Sequence, residues 1–490
     1  ITWGDGTAGI IGAVSPTNSL VGSSAGDGYG MGFSTLGNGN YVATLTKWSY
    51  GTAASAGAAV WINGTAPAAG VISPTNSLVG TSEFDRIGAY IKTLGNGNYL
   101  AYSAAWSNGT AVSAGAVTWG SGTAGVAGIV SASNSLIGSS ANDQVGINTI
   151  VLANGNYVVS STSWSDGAAT KVGAVTWGSG TAGVAGLITA SNSLIGSTAN
   201  DEVGWSIVTS VTNGNYLVHS RNWSNGGATS AGAITWGSGT AGVTGIVSPT
   251  NSLVGTSASE LPMVTFTALP SGNYLVSHYS WANGTATSAG FVFWGRGDGV
   301  GLAGPVTSAN SLVGTTPGDR IGNLIQVLDD GNYIVRSTNW MNGTAASAGA
   351  MTWGNGTSGV TGFITAGNSL VGSSTGDRVG SSSAVVLSGG AYVIAATDGL
   401  NGSVASAGAV TWISASAGLT GTISTSNSLV GTAAGDSVGT NIITLANGNY
   451  LVSSYKWSNG TAATAGALTW ASGTAALTGV VSHTNSLIGS

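Results

Sequence analysis

Cysteine is absent from this chain of 490 residues, histidine occurs three times and lysine four times. Without cysteine there is no disulfide, no thiolate metal site and no thiol nucleophile. Charge is scarce as well: ten basic and sixteen acidic side chains leave a net charge of −6 and supply no basic stripe. A nucleic-acid partner or an anionic membrane surface is therefore not expected. Long apolar runs are missing too, because Gly, Ser, Asn or Thr interrupts them every few residues, so no segment is expected to insert into a bilayer. Helical periodicity is absent throughout. What the chain does have is 42% hydrophobic residues with 17 Trp and 14 Tyr, which sets it apart from disordered sequences. It opens at Ile1 rather than Met and reads as a processed or excised piece of a longer protein.

Repetition dominates what remains. Tyrosines after a turn signal stand at Tyr41, Tyr99, Tyr157, Tyr216, Tyr274, Tyr333, Tyr392 and Tyr450, always 58 or 59 residues apart. Asn-Ser-Leu recurs at the same period from Asn18 to Asn485, and so does the tryptophan of a Gly-Ala-Val-Thr-Trp segment. That tryptophan stands at Trp3, Trp61, Trp119, Trp177, Trp236, Trp294, Trp353, Trp412 and Trp470. Nine Asn-Ser-Leu marks against eight tyrosines make residues 1–23 the end of a preceding unit or a ring-closing overlap. Residues 24–490 are then eight tandem repeats without a linker.

One unit shows the local logic. The β-branched run from Ile147 to Val151 suits a strand, Asn154-Gly155-Asn156 suits a two-residue hairpin, and Tyr157–Ser160 begins a second strand. Gly173–Trp177 is a third, with Val175 and Trp177 on one face at period two. Leu187–Leu194 is a fourth extended stretch. Four short antiparallel strands cannot bury their own faces, so neighbouring units must stack on them. The expected fold is all-β: an eight-bladed β-propeller of four-stranded antiparallel units of 58–59 residues, with an open superhelical stack of the same units as the alternative.

Asp143-x-Val145-Gly146, the strand before Asn154-Gly155-Asn156, and Gly173–Trp177 followed by Asn192-Ser193-Leu194-Ile195-Gly196 together resemble an FG-GAP-type blade, as in the integrin α head. The resemblance covers the whole chain and implies a propeller of the kind found in large secreted bacterial surface proteins. The Gly/Asn/Ser/Thr/Ala-rich composition is also similar to bacterial adhesins of the filamentous-haemagglutinin type. The calcium loop of FG-GAP blades is reduced here to Asn-Gly-Asn, so the resemblance brings no calcium site and no cofactor is expected.

Two repeated polar or aromatic slots are candidate sites. Asp27, Asp85, Asp143, Asp201, Glu260, Asp319, Asp377 and Asp436 hold half of all acidic residues, each nine after the Asn of Asn-Ser-Leu. They are either metal-ligating carboxylates or acceptors for backbone N–H groups between units. Arg86, Arg320 and Arg378, which follow this slot, read as solvated charge. The second slot holds Trp48, Trp106, Trp164, Trp223, Trp281, Trp340 and Trp457, with Gly399 in the seventh unit. Flat, N–H-bearing rings near a rim can stack on sugars, or they can plug the gap between units. The Gly-Ala-Val-Thr-Trp tryptophans, in mid-strand, are expected in the core.

Breaks in the repeat fall at Glu260-Leu261-Pro262-Met263, at Thr397-Asp398-Gly399-Leu400 and at the extra Trp205. His219, His278 and His483 occupy three different slots, and Asp329-Asp330 sits in a turn. No acid–base pair, triad or zinc spacing emerges, so an enzyme is not expected. Asn-x-Ser/Thr sequons, as at Asn108, Asn283 and Asn401, are read as turn chemistry. The expected function is a non-catalytic structural and adhesive module of an extracellular or cell-surface protein, self-associating or binding cell-surface or matrix glycans. A propeller lectin with repeated rim sites is the alternative.

Overall fold

The computed structural model describes every residue except 5, 6, 8, 210, 212, 213, 400, 402, 403, 416 and 417. Leu400 of the seventh-unit break therefore lies outside the described residues. The described residues hold strands and turns and no α-helix. They fall into two compact bodies, residues 1–262 with 302–305, and residues 263–301 with 306–490, each built from the same repeat.

The repeat at residues 143–196 stands for the rest. An edge strand, Asn148–Val151, pairs antiparallel with Tyr157–Ser161, which pairs antiparallel with Ala174–Gly178, which pairs antiparallel with Ser193–Ile195. The hairpin between the first two is not the two-residue turn that Asn-Gly suggests. Gly155 donates to the carbonyl of Leu152 and Leu152 to that of Asn156, so three residues form the loop. Gly155 alone takes a positive φ, 85°. This is a turn closed by a left-handed glycine, which adds one residue and keeps the strands in register.

The stretch expected as a single fourth strand is two strands with different partners. Ser193–Ile195 stays in its own sheet, whereas Gly186–Leu187 leaves and pairs parallel with Leu136–Ile137 of the preceding repeat. In turn Gly245–Ile246 of the following repeat pairs parallel with Leu194–Ile195. Each sheet thus gains a fifth, parallel strand from the repeat after it. Among the described residues seven sheets have this five-stranded form, and the last, ending at Ser486–Ile488, has four strands. The link is between repeats because Gly186, at φ 111°, turns the chain out of its own sheet.

The core lies between neighbouring sheets. Along Tyr157–Ser161 every residue is buried, because alternate side chains face opposite neighbours. Tyr157, Val159, Trp164 and Ile195 pack on Leu100, Val117 and Leu136 of the repeat before. Val158, Val175 and Leu194 pack on Tyr216, Val218 and Trp223 of the repeat after. The second body repeats the arrangement, with Leu275, Val292 and Leu312 against Tyr333, Val335 and Trp340. Full burial of one such leucine stabilises by about 1.5–3 kcal/mol. A single repeat has only half a core, so its stability comes from its neighbours.

Candidate functional site at the junction between repeats

The most strongly repeated polar chemistry lies where one repeat meets the next. Asn96 and Asn98 flank the glycine of their hairpin, and both side-chain amides donate to the carbonyl of Gly180 in the next repeat, at 2.8 and 2.9 Å. The indole N–H of Trp119 donates to the same carbonyl at 3.0 Å. Asn98 also accepts from the N–H of Gly122, tying its hairpin to the turn after its own third strand. The same three-donor latch closes on Gly122 from Asn38, Asn40 and Trp61, and on Gly239 from Asn154, Asn156 and Trp177. In the second body Ser271, Asn273 and Trp294 close on Gly356.

A second chain of bonds explains Asn-Ser-Leu. Thr118 and Ser135 hydroxyls pair at 2.7 Å inside the sheet, and Ser135 donates onward to Asn134. Asn134 accepts from the N–H of Ser131 and donates to the carbonyl of Ile129, the strand that crosses to the preceding repeat. Buried hydroxyls are thereby satisfied and the crossing strand is anchored.

One family model matches the chain, a repeat of unknown function (DUF5650), at residues 1–31, 35–89, 93–147, 151–205, 210–261, 268–323, 327–381, 386–440 and 444–490. The chain belongs to this repeat family. No curated protein matches it. The match is to the DUF5650 repeat and adds nothing to the FG-GAP resemblance.

Within the DUF5650 repeat the acidic slot is a backbone cap. Asp143 is fully buried, with one oxygen accepting from the N–H groups of Ser139 and Ser140 at 2.9 and 2.8 Å and the other from Ser165 at 3.0 Å. Asp27, Asp85, Asp201, Asp319 and Asp436 each accept three equivalent N–H groups. Asp377 accepts from Ser373 and Ser374, and Glu260 from Thr256 and Ser257. Three N–H donors take up most of the acceptor capacity of such a carboxylate, about four lone-pair sites. Among the described residues no cluster of three His, Cys, Asp or Glu side chains could hold a metal ion. Burial pushes the Asp85, Asp143 and Asp201 carboxyls above the usual carboxylate range, and the N–H groups pull the other way. Arg86, Arg320 and Arg378 are exposed beside this slot.

The two tryptophan slots exchange the roles that sequence position suggests. Trp48, Trp106, Trp164, Trp223, Trp281, Trp340 and Trp457 are 2–6% exposed and form part of the cores between sheets. A sugar needs an open ring face, so the gap-plugging role is the one this geometry realises. The strand-three tryptophans expected in the core are instead half-buried, and Trp470 is 55% exposed. These rings carry the latch and line open pockets: Trp119 with Ser133, Asn134 and Gly183, Trp177 with Ser191, Asn192 and Gly242, and Trp412 with Ser426, Asn427 and Ala476. The signal that could have found them is the glycine six residues after five of these tryptophans, Gly125, Gly183, Gly242, Gly359 and Gly418. It must lie against the ring of the repeat before, and position two of a strand does not reveal this.

Some of the irregular residues lie together, with Arg221 near both His219 and Trp205. His219 is buried against the carbonyl of Leu261 at 3.0 Å, and burial lowers its pKa. The Arg221 guanidinium lies 3.3 Å from the centre of the Trp205 ring, and Asn222 donates to Glu202. His483 and Asp398 are exposed, and Asp330 caps its own turn through the N–H of Asn332. Asn108, Asn283, Asn342, Asn401 and Asn459 of the sequons each donate to a glycine carbonyl about 30 residues on, so their amides are already employed in the fold. Gly402 and Ser403 of the Asn401 sequon lie outside the described residues.

Proposed function

We propose that this chain is a non-catalytic structural and adhesive module of a larger extracellular or cell-surface, fibre-forming protein. The carrying observation is that the parallel fifth strand recurs at junction after junction, accompanied at Gly122, Gly180, Gly239 and Gly356 by the three-donor latch onto the glycine carbonyl. Chemistry of this kind joins one unit to the next and builds length, whereas an enzyme concentrates unusual residues in one place. Its partners in this reading are further copies of itself, or cell-surface and matrix glycans, held by many equal and weak contacts through avidity.

Of the two arrangements, the reading takes the open superhelical stack over the closed eight-bladed propeller. The crossing strand supports it, because each five-stranded sheet takes its parallel fifth strand from the repeat after it, an arrangement that continues from unit to unit. The four antiparallel strands fit an FG-GAP-type blade, but the parallel crossing strand carries this reading without that kinship. Electron microscopy of the unlabelled protein at low concentration tests it. Rods with a regular repeat are expected, and isolated closed discs would overturn the open stack.

A further inference from the structure

We propose that the junction pockets floored by Trp119, Trp177 and Trp412 each bind one neutral hexopyranose ring of a glycan. The inference rests on the adhesive reading above and names the site and ligand class for it. The pocket at Trp119 has a volume of about 310 Å³, that at Trp177 about 250 Å³ and that at Trp412 about 310 Å³. These lie at the small end of ligand pockets, with room for one ring rather than a large ligand.

The shape follows from the packing. Gly183 of the next repeat is pressed on the base of Trp119, where a Cβ would stand 2.5 Å from the tryptophan Cβ. Glycine permits that close approach at Trp119, Ala476 takes the same place beside Trp412, and in both pockets the indole remains part of the lining. Gly125 and Val126 make one wall, the next repeat makes the other, and Ser133 and Asn134 form the rim.

The chemistry of the lining selects the ligand. None of the three pockets has an ionisable side chain in its wall, so charge recognition is not available to them. An indole face offers flat apolar area to the C–H face of a pyranose. On the rim, the exposed Ser133 hydroxyl pairs with Ser131, and the Asn134 amide commits one N–H to Ile129. The second amide N–H and the hydroxyl lone pairs remain for sugar hydroxyls. Because two repeats build each pocket, a bound ring bridges the junction, and successive junctions present a ladder of sites to a repeating polysaccharide.

The test is titration of the intact chain with a panel of neutral hexoses and their oligomers, read by calorimetry and tryptophan fluorescence. Monosaccharide affinity on the order of 1 mM per site is expected, with a stoichiometry above one. Oligomers should bind at least tenfold more tightly through avidity. The exposed rim serines allow pocket-filling changes: Ser133→Phe, Ser191→Phe and Ser426→Phe together should remove about three sites while the β-sheet spectrum is unchanged. If the triple variant loses that spectrum, each single variant applies the same test one site at a time. The proposal is overturned by no heat and no spectral change at about 10 mM sugar, a concentration near saturation for such sites. It is equally overturned by binding that the filled pockets do not reduce, or by a preference for charged sugars or apolar aromatics. Rods in the microscope without sugar binding would sink this site and leave the structural reading standing.

Discussion

The indole N–H of Trp119 and the carbonyl of Gly180 meet at 3.0 Å across 61 residues of chain, joining one repeat to the next. The corresponding pair, Trp177 and Gly239, is 62 residues apart and equally close. The extra residue of the longer repeat is therefore taken up elsewhere, and the contact is held constant. A carbonyl has two lone pairs, yet Gly180 receives Asn96, Asn98 and Trp119 together. Three donors share one acceptor, so the loss of any one is partly absorbed by the others.

That sharing sets the size of the first expected effect. Trp119→Phe keeps most of the ring area and deletes only the N–H, and it should cost about 1 kcal/mol. Asn98→Ala removes two bonds, one to Gly180 and one from Gly122, and should cost about 2–3 kcal/mol, the sum of a lost bond and a stranded donor. Urea unfolding checks both through a lower midpoint. If Asn98→Ala costs no more than Trp119→Phe, the latch is not the fastening described.

Asp143 gives the second expectation. Its three N–H donors lose their acceptor in Asp143→Ala, which should destabilise by about 3–5 kcal/mol, as for a buried charge-assisted network. Asp143→Asn keeps one carbonyl oxygen but turns an N–H₂ toward the other donors, and should fall between that variant and the native protein. Calcium and a chelator should leave the melting temperature of the native protein where it is. A rise of several degrees with calcium would restore the metal reading of this slot.

How much of this was legible in the sequence follows from what repetition can and cannot encode. Tyr157, Asn192 and Trp177 recur at a fixed period, so the unit, its all-β class and its three main strands could be read directly. The partner of Gly186–Leu187 could not. A two-residue strand has no pattern of its own, and only its pairing with Leu136–Ile137 reveals that it has left its sheet. The exchanged roles of Trp164 and Trp177 have a similar cause. Period two assigns a side chain to a face, but both faces here are covered by neighbours, so depth is set by how far the next repeat's loop reaches. The Asp slot was legible as turn chemistry because Asp143 caps residues only three and four positions before it.

Gly178 supplies a third expectation in which two effects oppose each other. Alanine in a strand interior normally gains about 0.5–1 kcal/mol over glycine. Here its Cβ would stand 2.1 Å from Cζ of Tyr157, so the ring must shift. Other repeats carry Ile413 and Ala471 at this place beside buried Tyr392 and Tyr450, so a second ring placement exists. Gly178→Ala should therefore destabilise by about 1–3 kcal/mol, the usual range for overpacking, rather than unfold the protein. A midpoint at or above that of the native protein would show that the ring moves freely.

Alkali should separate this fold from one with surface tyrosines. Burial raises the hydroxyl pKa of Tyr99, Tyr157, Tyr216, Tyr274, Tyr333 and Tyr392 far above the ordinary value of 10.0, and that of Tyr450 to about 12. With the folded pKa above the unfolded one, the folded state holds protons that the unfolded state has lost once the pH passes 10. Stability is thus intact below pH 10 and falls as the pH rises from there through the folded values, by about 1.4 kcal/mol per pH unit for each tyrosine. Seven act together, so unfolding should be steep and complete before these hydroxyls ionise in the folded state. Tyrosinate absorbance and the β-sheet spectrum, followed on one pH titration, should therefore break at the same point. Ionisation of these rings near pH 10 with the sheet signal intact would mean that the tyrosines are not held between the sheets.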